Sequence, residues 1–296
     1  MCTRVIYCSF ICVLLICSPC FADWDPGLPA KWVQLPDLSP MGIDVATSEP
    51  FVLADDFLCT EPSLITDVHV WGSWLYDRLP FDGQPDAVDF LLSIHADIPP
   101  DQSPTGFSMP GELLWEMPVP AGTFVARPYE AGLTEGWMDP PDQYLFPGDT
   151  VCWQYNFFID PAMAFQQQGT PEAPVIYWLK VRAIPHDPQA RFGWKTSTDH
   201  WNDDAVWGEG PDPYFEPWQE LRYPPPHEYA GQSIDLAFVI TGEPQATLDF
   251  GDAPDPTYPT LLASNGAHHV VVPNILLGAV IDPEPNGQPD PLALGD

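Results

Sequence analysis

The sequence predicts an all-β protein, a jelly-roll-like β-sandwich whose strands are joined by long loops rich in proline, glycine and aspartate. Three observations support this fold class. The 296 residues include 39 prolines and 21 glycines, which favour turns over helices. Apolar residues make up 45% of the chain, with 12 tryptophans and 16 phenylalanines, which is enough for a large core. Alternation of apolar and polar side chains with a period of two recurs along the chain.

Residues 1–22 have the features of a cleavable signal peptide. Arg4 supplies a positive end, an apolar run extends from Val5 to Ile16, and a turn-prone segment ends at Ala22. We expect cleavage after Ala22 and a product that is secreted or held at the cell surface. Nothing later in the sequence offers the ~20 apolar residues of a membrane-spanning helix, so no span is expected in the mature chain.

Residues 23–50 are predicted to form a proline-rich arm that packs on the following domain, residues 51–242. Five prolines keep this segment extended, and Trp24 and Trp32 are expected to anchor it.

Five segments of the domain are predicted strands, since each alternates apolar and polar side chains or is apolar on both faces. The run 175–184 is apolar on both faces, which indicates a central strand. Gly72, among the aromatic residues of 66–74, indicates a bulge or a close approach of another backbone. The five segments are residues 66–74, 88–96, 151–159, 175–184 and 233–241. Residues 51–59, with Asp55 and Asp56 between apolar pairs, are expected to begin the compact region.

The segments between these strands are predicted to be long loops, at residues 79–86, 99–111 and 139–149, each with several Pro, Gly and Asp residues. Only residues 161–168 have a composition that suits a helix. Binding residues concentrate on long loops of this kind.

The charge of the chain excludes two classes of partner. It has 42 acidic and 9 basic residues, a net charge of −33. Such a protein repels nucleic acid and anionic membrane surfaces. It attracts cations, and calcium is the one cofactor that the sequence suggests. An acidic surface that keeps an extracellular protein soluble is the simpler explanation of most of this charge.

Cysteine usage suggests one disulfide. Five of the seven cysteines lie in the signal peptide, so Cys59 and Cys152 remain in the mature chain. A bridge between them would suit an exported protein and would stabilise the fold by roughly 4–5 kcal/mol. Two unpaired buried thiols are the alternative.

The segment from Phe192 to Trp207 concentrates aromatic, acidic and amide side chains, and we expect a structured surface loop that its tryptophans pin to the core. The carboxylates would repel one another unless a donor or cation such as Lys195 lay between them. A structural network, a calcium site and a carbohydrate contact are the three interpretations. The candidate ligand-binding residues are Trp194, His200, Trp201, Asn202, Asp203, Asp204 and Trp207, and the candidate calcium ligands here are Asp199, Asp203 and Asp204.

Residues 243–296 are predicted to be a short, incomplete acidic β module that stops abruptly at Gly295 and Asp296. A further candidate calcium site lies in it, because four oxygen-bearing residues match the spacing of a calcium loop. Ala293 occupies the twelfth position, where a glutamate would be needed, and the flanking prolines exclude an EF-hand. The candidate ligands of this irregular turn are Asp282, Glu284, Asn286 and Asp290.

The sequence carries none of the sharper catalytic motifs, such as G-x-S-x-G, H-E-x-x-H, a phosphate loop or G-x-G-x-x-G. No catalytic residue is assigned. A hydrolase that uses a carboxylate pair stays open, because glycosidases need only two suitably spaced carboxylates.

Several segments resemble an uncharacterised family of exported bacterial domains known from planctomycete-type genomes. They are LADDFLC (53–59), VHVWGSW (68–74), LLSIHADIP (91–99), CWQYNFFI (152–159), the segment 192–207 and SIDLAFVITG (233–242). The match runs from Lys31 to Gly242, and because the family is of unknown function the resemblance assigns no catalytic residues. The tail from Leu248 onward, DFGDAPDPTYPTLLASNGAHHVV, resembles the segment that accompanies GEVED-type modules in large bacterial surface proteins, and implies an extracellular neighbour that calcium stabilises.

These observations favour a secreted, non-enzymatic structural or ligand-binding module of a bacterial surface protein. A carbohydrate-binding module that recognises polysaccharide or another cell-surface component is the first alternative, and a carboxylate-dependent hydrolase is the second.

Overall fold

The computed structural model describes residues 24–210, 218–242, 248–251, 253–255, 257–261, 266–270 and 288–291. The predicted signal peptide, residues 1–22, lies outside these residues. The predicted arm is described from Trp24 onward. The described chain consists of strands, turns and two single-turn 3₁₀ helices, Leu75–Asp77 and Phe81–Gly83, which confirms the all-β prediction. Among the described residues we found no helix with the length and apolar character to cross a membrane.

The strands are β1 Trp32–Gln34, β2 Ile43–Ala46, β3 Phe51–Cys59, β4 Leu64–Ile65, β5 Asp67–Trp74, β6 Val88–Ile98, β7 Met109–Val119, β8 Val125–Asp139, β9 Gln143–Phe158, β10 Phe165–Gln166, β11 Val175–Pro185, β12 Phe192–Lys195, β13 Val206–Glu209, β14 Gln219–Glu220, β15 Phe238–Thr241, β16 Leu248–Phe250 and β17 His268–Val270.

Most of these strands form two sheets. The seven-stranded sheet has the order β1-β15-β5-β12-β2-β8-β9, and the six-stranded sheet has the order β14-β13-β3-β11-β6-β7. Nearly all neighbours are antiparallel, and β2 pairs with β8 in parallel. Two small ladders, β10-β4 and β16-β17, complete the pairing among the described residues.

Three predicted strands match β5, β6 and β11, and β11 is a central strand between β3 and β6, as its apolar faces indicated. Residues 51–59, which the sequence marked only as the start of the compact region, form β3. The other predictions need correction. Strand β9 extends back to Gln143 into the predicted loop 139–149, because it pairs with β8 along most of its length. Strand β15 is shorter than the predicted run 233–241. The predicted helix at 161–168 is a turn followed by β10, which pairs with β4.

The main core lies between the two sheets and is built largely from aromatic rings. Phe90, on β6, contacts Phe124, Tyr155, Phe157 and Phe192, with ring centroids 5.0–5.4 Å apart. Edge contacts of this kind add to the burial of apolar area. The alternation of β5, β6, β9 and β11 therefore serves a single core, in which each strand contributes every second side chain.

Gly72 lies where two strands approach closely, as the sequence indicated. A Cβ atom at this position would lie 2.2 Å from the backbone oxygen of Gly193 and 2.4 Å from the ring of Phe192. Both neighbours belong to β12, which pairs with β5 at this point. A side chain larger than hydrogen would force the two strands apart.

The seven-stranded sheet also closes on itself. Strand β9 pairs with β8 along one edge and with β5 along the other. The strands β5, β12, β2, β8 and β9 therefore form a closed ring, in which each strand has a partner on both sides. One face of this ring joins the main core, and the other is covered by a second apolar cluster around Trp24, Trp71 and Cys152.

The proline-rich arm contacts the sheet at both tryptophans that the sequence singled out. Trp24 is buried against Trp71, with ring centroids 6.0 Å apart. Trp32 begins β1, which pairs with β15 at the edge of the seven-stranded sheet. The arm thus covers one face and extends one edge of the domain. Its residues Ile43–Ala46 form β2, which lies inside the sheet between β12 and β8, so this part of the predicted arm belongs to the sandwich itself.

Candidate functional site

The segment 192–207 is only partly the surface loop that we expected. Its first residues form β12 in the seven-stranded sheet and its last form β13 in the six-stranded sheet, so the segment links the two sheets. Trp194 is buried, and its Nε1 atom donates to the oxygen of Ala237 over 2.8 Å. Trp207 is buried against Phe51. Neither ring is available to a ligand at the surface.

Between these strands, Trp201 and His200 remain accessible in part. The Trp201 ring meets the Trp32 ring edge to face at 5.0 Å. The backbone nitrogen of Trp201 donates to Asp235, and the Nδ1 atom of His200 lies 3.6 Å from the same carboxylate. These contacts tie the loop to the segment before β15.

The acidic residues of this loop do not converge. Asp199 accepts a hydrogen bond from the backbone nitrogen of Leu35 over 3.0 Å. Asp203 accepts from the hydroxyl of Ser108. Asp204 accepts from Ser233 and pairs with Arg222. Each predicted calcium ligand in the loop therefore has a partner of its own, in a different part of the chain.

Asn202 connects this loop to a buried acidic cluster. Its amide donates to Oδ2 of Asp56, on the outer face of β3. Burial raises the pKa of Asp56 to about 8. The hydrogen bond from Asn202 lowers this pKa in part, and the nearby carboxyl group of Asp235 raises it further. Burial also raises the pKa of Asp235 to about 6. The neighbouring Asp55 is fully buried on the opposite face, where Gln34 and the backbone of Leu236 donate to it.

A second cluster of buried polar side chains lies in the closed ring of strands, and we call it the ring cluster. The sequence did not reveal it. Each of the five ring strands contributes one residue, namely Ser73 from β5, Lys195 from β12, Asp44 from β2, Glu135 from β8 and Asp149 from β9. All five are buried, with at most 2% of each residue exposed.

Strand register explains how distant residues meet in this cluster. Lys195 lies directly opposite Asp44 in the β12–β2 ladder, and Glu135 lies directly opposite Asp149 in the β8–β9 ladder. Alternation along β2 and β12 directs Asp44 and Lys195 away from the main core, since their neighbours Val45 and Trp194 face it.

Lys195 therefore serves a role that differs from the one the sequence suggested. Its Nζ atom lies 3.0 Å from Oδ2 of Asp44 and also contacts Oε2 of Glu135, not the aspartates of its own loop. Burial disfavours the ammonium, but Asp44 and Glu135 outweigh that effect and raise the pKa of Lys195. The lysine stays charged between two carboxyl groups.

The three acids of this cluster are pushed towards their neutral forms. Burial raises the pKa of Asp149 to about 9, and Asp44 adds to the rise. Burial raises the pKa of Glu135 to about 7, although Lys195 opposes the shift. One oxygen from each of Asp44, Glu135 and Asp149 lies within 4.8 Å of the others, the one such group of potential metal ligands that we found among the described residues.

Cys59 and Cys152 do not form the predicted disulfide, because both are free and buried. Cys59 belongs to the core between the sheets, whereas Cys152 belongs to the cluster on the far face of the seven-stranded sheet. The alternation of β9 turns Cys152 away from the face that carries Tyr155, so the sheet itself separates the two sulfur atoms.

An open groove of about 540 Å³ lies at the turn end of the β8–β9 hairpin. Tyr144 and Phe146 form one wall, with nearly parallel rings whose centroids are 6.4 Å apart. Phe146 is 59% exposed. The other lining residues are Pro40, Met41, Pro226, His227 and Glu228.

The groove is held in place from both sides. The ring of Tyr144 lies over Gly136 of β8, where a Cβ atom would collide with it. His227 packs edge-on to Tyr144 and stacks on Tyr223, and its Nε2 atom bonds the oxygen of Met41 over 3.0 Å. The sequence did not single out these residues, because their proximity depends on the hairpin and on two distant loops.

The candidate calcium ligands Asp282, Glu284 and Asn286 lie outside the described residues, and of that set only Asp290 is described. The proposed calcium turn in the tail therefore stays a prediction.

Comparison with known proteins gives one match. A family model described as "Domain of unknown function (DUF7901)" matches residues 30–241, close to the limits that the sequence resemblance implied. Neither the curated proteins nor the solved structures contain a significant match.

Proposed function

The chain belongs to the family of domains of unknown function designated DUF7901, and we propose that it is a non-enzymatic, ligand-binding module of an exported bacterial protein. The apolar N-terminal segment and the net charge of −33 support export. The fold supports a binding role, since two packed sheets give a rigid scaffold with long loops at its ends.

The burial of the carboxylates supports the non-enzymatic part of this proposal. A glycosidase needs two carboxyl groups that flank a cleft open to the sugar. Two of the closely spaced pairs of acids among the described residues, Asp44 with Glu135 and Asp55 with Asp56, are at most 1% exposed. A third pair, Asp204 with Glu220, is partly exposed but shares the guanidinium of Arg222. A polymeric substrate would have no access to the two buried pairs.

The ligand that the geometry favours is a carbohydrate, and the groove beside Tyr144 and Phe146 carries this proposal. Sugar rings stack on exposed aromatic faces through their C–H groups, and their hydroxyls bond to carboxylate and imidazole groups at the edge. Phe146 offers an exposed ring, and Glu228 offers an exposed carboxylate at the rim. The rings of Trp194 and Trp207, which the sequence suggested as ligand-binding residues, are buried in the core.

A glycan array tests this proposal. We expect the exported chain to bind a subset of polysaccharides, and Tyr144→Ala and Phe146→Ala to lose that binding by about tenfold or more, equivalent to about 1.4 kcal/mol or more. Phe81→Ala is the matched control, because Phe81 is also exposed, at 62%, but lies outside the groove.

Three results would contradict the proposal. Uniform absence of binding would leave a purely structural module, and binding that the Phe81 variant loses while the groove variants retain it would place the site elsewhere. Release of new reducing ends from a bound polysaccharide would instead identify a hydrolase.

A further inference from the structure

The charges of the ring cluster do not balance. Three carboxyl groups, those of Asp44, Glu135 and Asp149, face a single ammonium, that of Lys195. If all four groups were ionised, the cluster would carry a net charge of −2 in a site that water does not reach. Buried charge of this kind is costly unless a counter-charge or protons neutralise it.

The oxygen atoms of the cluster also lack partners. Oδ1 of Asp44, Oε1 of Glu135 and both carboxylate oxygens of Asp149 are buried and make no hydrogen bond of normal geometry. The Oγ atom of Ser73 likewise makes no hydrogen bond of normal geometry. It lies close enough to Asp44 and Asp149 to lower the pKa of both carboxyl groups, against the larger effect of burial. Buried polar atoms are nearly always satisfied in folded proteins, so several in one place indicate a missing ligand.

We propose that Asp44, Glu135 and Asp149 bind one calcium ion in the interior of the ring, with the hydroxyl of Ser73 as a further ligand. The ligand atoms lie within 4.8 Å of one another. This spacing suits calcium, whose bonds to oxygen are about 2.4 Å long, so that two ligands on opposite sides are about 4.8 Å apart. The ion supplies the two positive charges that the cluster lacks.

The donor set and the burial select calcium among common cations. Carboxylate and hydroxyl oxygens are hard ligands, which favour calcium or magnesium over softer transition metals. Magnesium keeps several of its water molecules, whereas this site is closed on all sides by the five strands. Lys195 contacts one oxygen of Asp44 and one of Glu135, which leaves the second oxygen of each for the ion.

Because the site is closed, the ion must enter while the chain folds. The exported chain is therefore unfolded in urea with a chelator and refolded with calcium, magnesium, zinc or no added metal. We expect one tightly held calcium per chain at this site by mass spectrometry and an upward shift of Tm with calcium. A ligand that binds only the folded state must raise stability.

Three variants assign the ion to its residues. Asp149→Asn should weaken calcium binding by about tenfold or more, because calcium affinity depends on the number of charged ligands. Asp203→Asn and Asp290→Asn are the matched controls, since they test the loop and the tail that the sequence suggested as calcium sites. Both should retain the shift in Tm.

Two outcomes would overturn the proposal. One is a calcium-refolded protein that holds no ion and melts at the temperature of the metal-free protein, which would show that protons neutralise the cluster. The other is a calcium shift that survives Asp149→Asn. If that variant fails to fold, Ser73→Ala replaces it in the second test, and calcium affinity that is unchanged in the folded Ser73→Ala variant would reject the site. A refolded chain that holds zinc or magnesium but no calcium would reject calcium as the ion.

Discussion

The Nζ atom of Lys195 lies 3.0 Å from Oδ2 of Asp44, and neither side chain is exposed to solvent. The two residues are 151 positions apart in the sequence and directly opposite in the β12–β2 ladder. The ion pair therefore joins the ring only when its strands are in register.

Replacement of Lys195 by methionine should strongly destabilise the domain. The methionine keeps much of the side-chain volume but removes the ammonium that contacts both Asp44 and Glu135, and the loss of one partner of a buried ion pair costs about 3–5 kcal/mol. Arg78→Met is the matched control, because Arg78 pairs with Asp187 over 2.9 Å at the surface and an exposed pair contributes about 0–1 kcal/mol. Urea unfolding of both variants measures the difference, and equal losses would contradict the buried pair's role.

Replacement of Gly72 by alanine should also destabilise the fold, for a steric reason. The added Cβ atom would lie 2.2 Å from the backbone oxygen of Gly193, and a strand backbone cannot yield as a flexible side chain can. Overpacking of this kind costs about 1–3 kcal/mol or more. Thermal unfolding should show a lower Tm. Gly251→Ala is the control, since the nearest atom to its Cβ would be 3.7 Å away, and a Gly72→Ala variant as stable as the parent would refute the argument.

The sequence predicted the parts of the fold that depend on local patterns. Strands β5, β6 and β11 were found because burial of one or both faces leaves a visible alternation or an apolar run. Strand β3 was not identified as a strand, because Asp55 and Asp56 interrupt its apolar residues. Strands β7 and β8 were missed, since many of their side chains are exposed and both contain proline and glycine. Their strand state comes from pairing with β6 and β9, which is a tertiary contact.

The candidate sites were harder to predict, for the same reason. The loop after β12 was recognised as dense in acids, and its side chains do make many hydrogen bonds, but with separate partners such as Leu35, Ser108 and Ser233. The ring cluster draws single residues from five strands, and no spacing in the sequence relates Asp44 to Glu135. Only the register of the ring brings them together.

The two buried cysteines should be separate thiols in the folded, exported chain. Because a sheet lies between Cys59 and Cys152, we expect both to be alkylated by iodoacetamide after denaturation without any reductant. In the native protein neither should react, since both are buried and burial raises the pKa of the Cys152 thiol well above its ordinary value. Peptide mass spectrometry measures the labelling. A cross-linked peptide that contains both cysteines and disappears on reduction would contradict this expectation.

Asp56 should make the domain less stable as the pH rises from about 4 to about 8. Burial raises the pKa of its carboxyl group to about 8, and the carboxyl groups of Asp235, Asp203 and Asp97 add to the rise, while Asn202 opposes it. In the unfolded chain the same group loses its proton near pH 4. Between these values the folded state holds a proton that the unfolded state has released, so stability falls with rising pH, by at most about 1.4 kcal/mol for each pH unit.

Asp56→Asn removes this dependence, because an amide resembles the protonated acid and never ionises. The variant should be more stable than the parent at pH 8 and similar to it at pH 4, with the gap opening steadily between. Urea midpoints at intervals of one pH unit measure it. Asp187→Asn is the control, since the backbone nitrogen of Gln189, and then Arg78, lower the pKa of that carboxyl group, so its proton is lost below this window in both states. A gap between Asp56→Asn and the parent that stays constant from pH 4 to pH 8 would show that Asp56 is ionised in the folded domain, with its charge neutralised by something other than a proton.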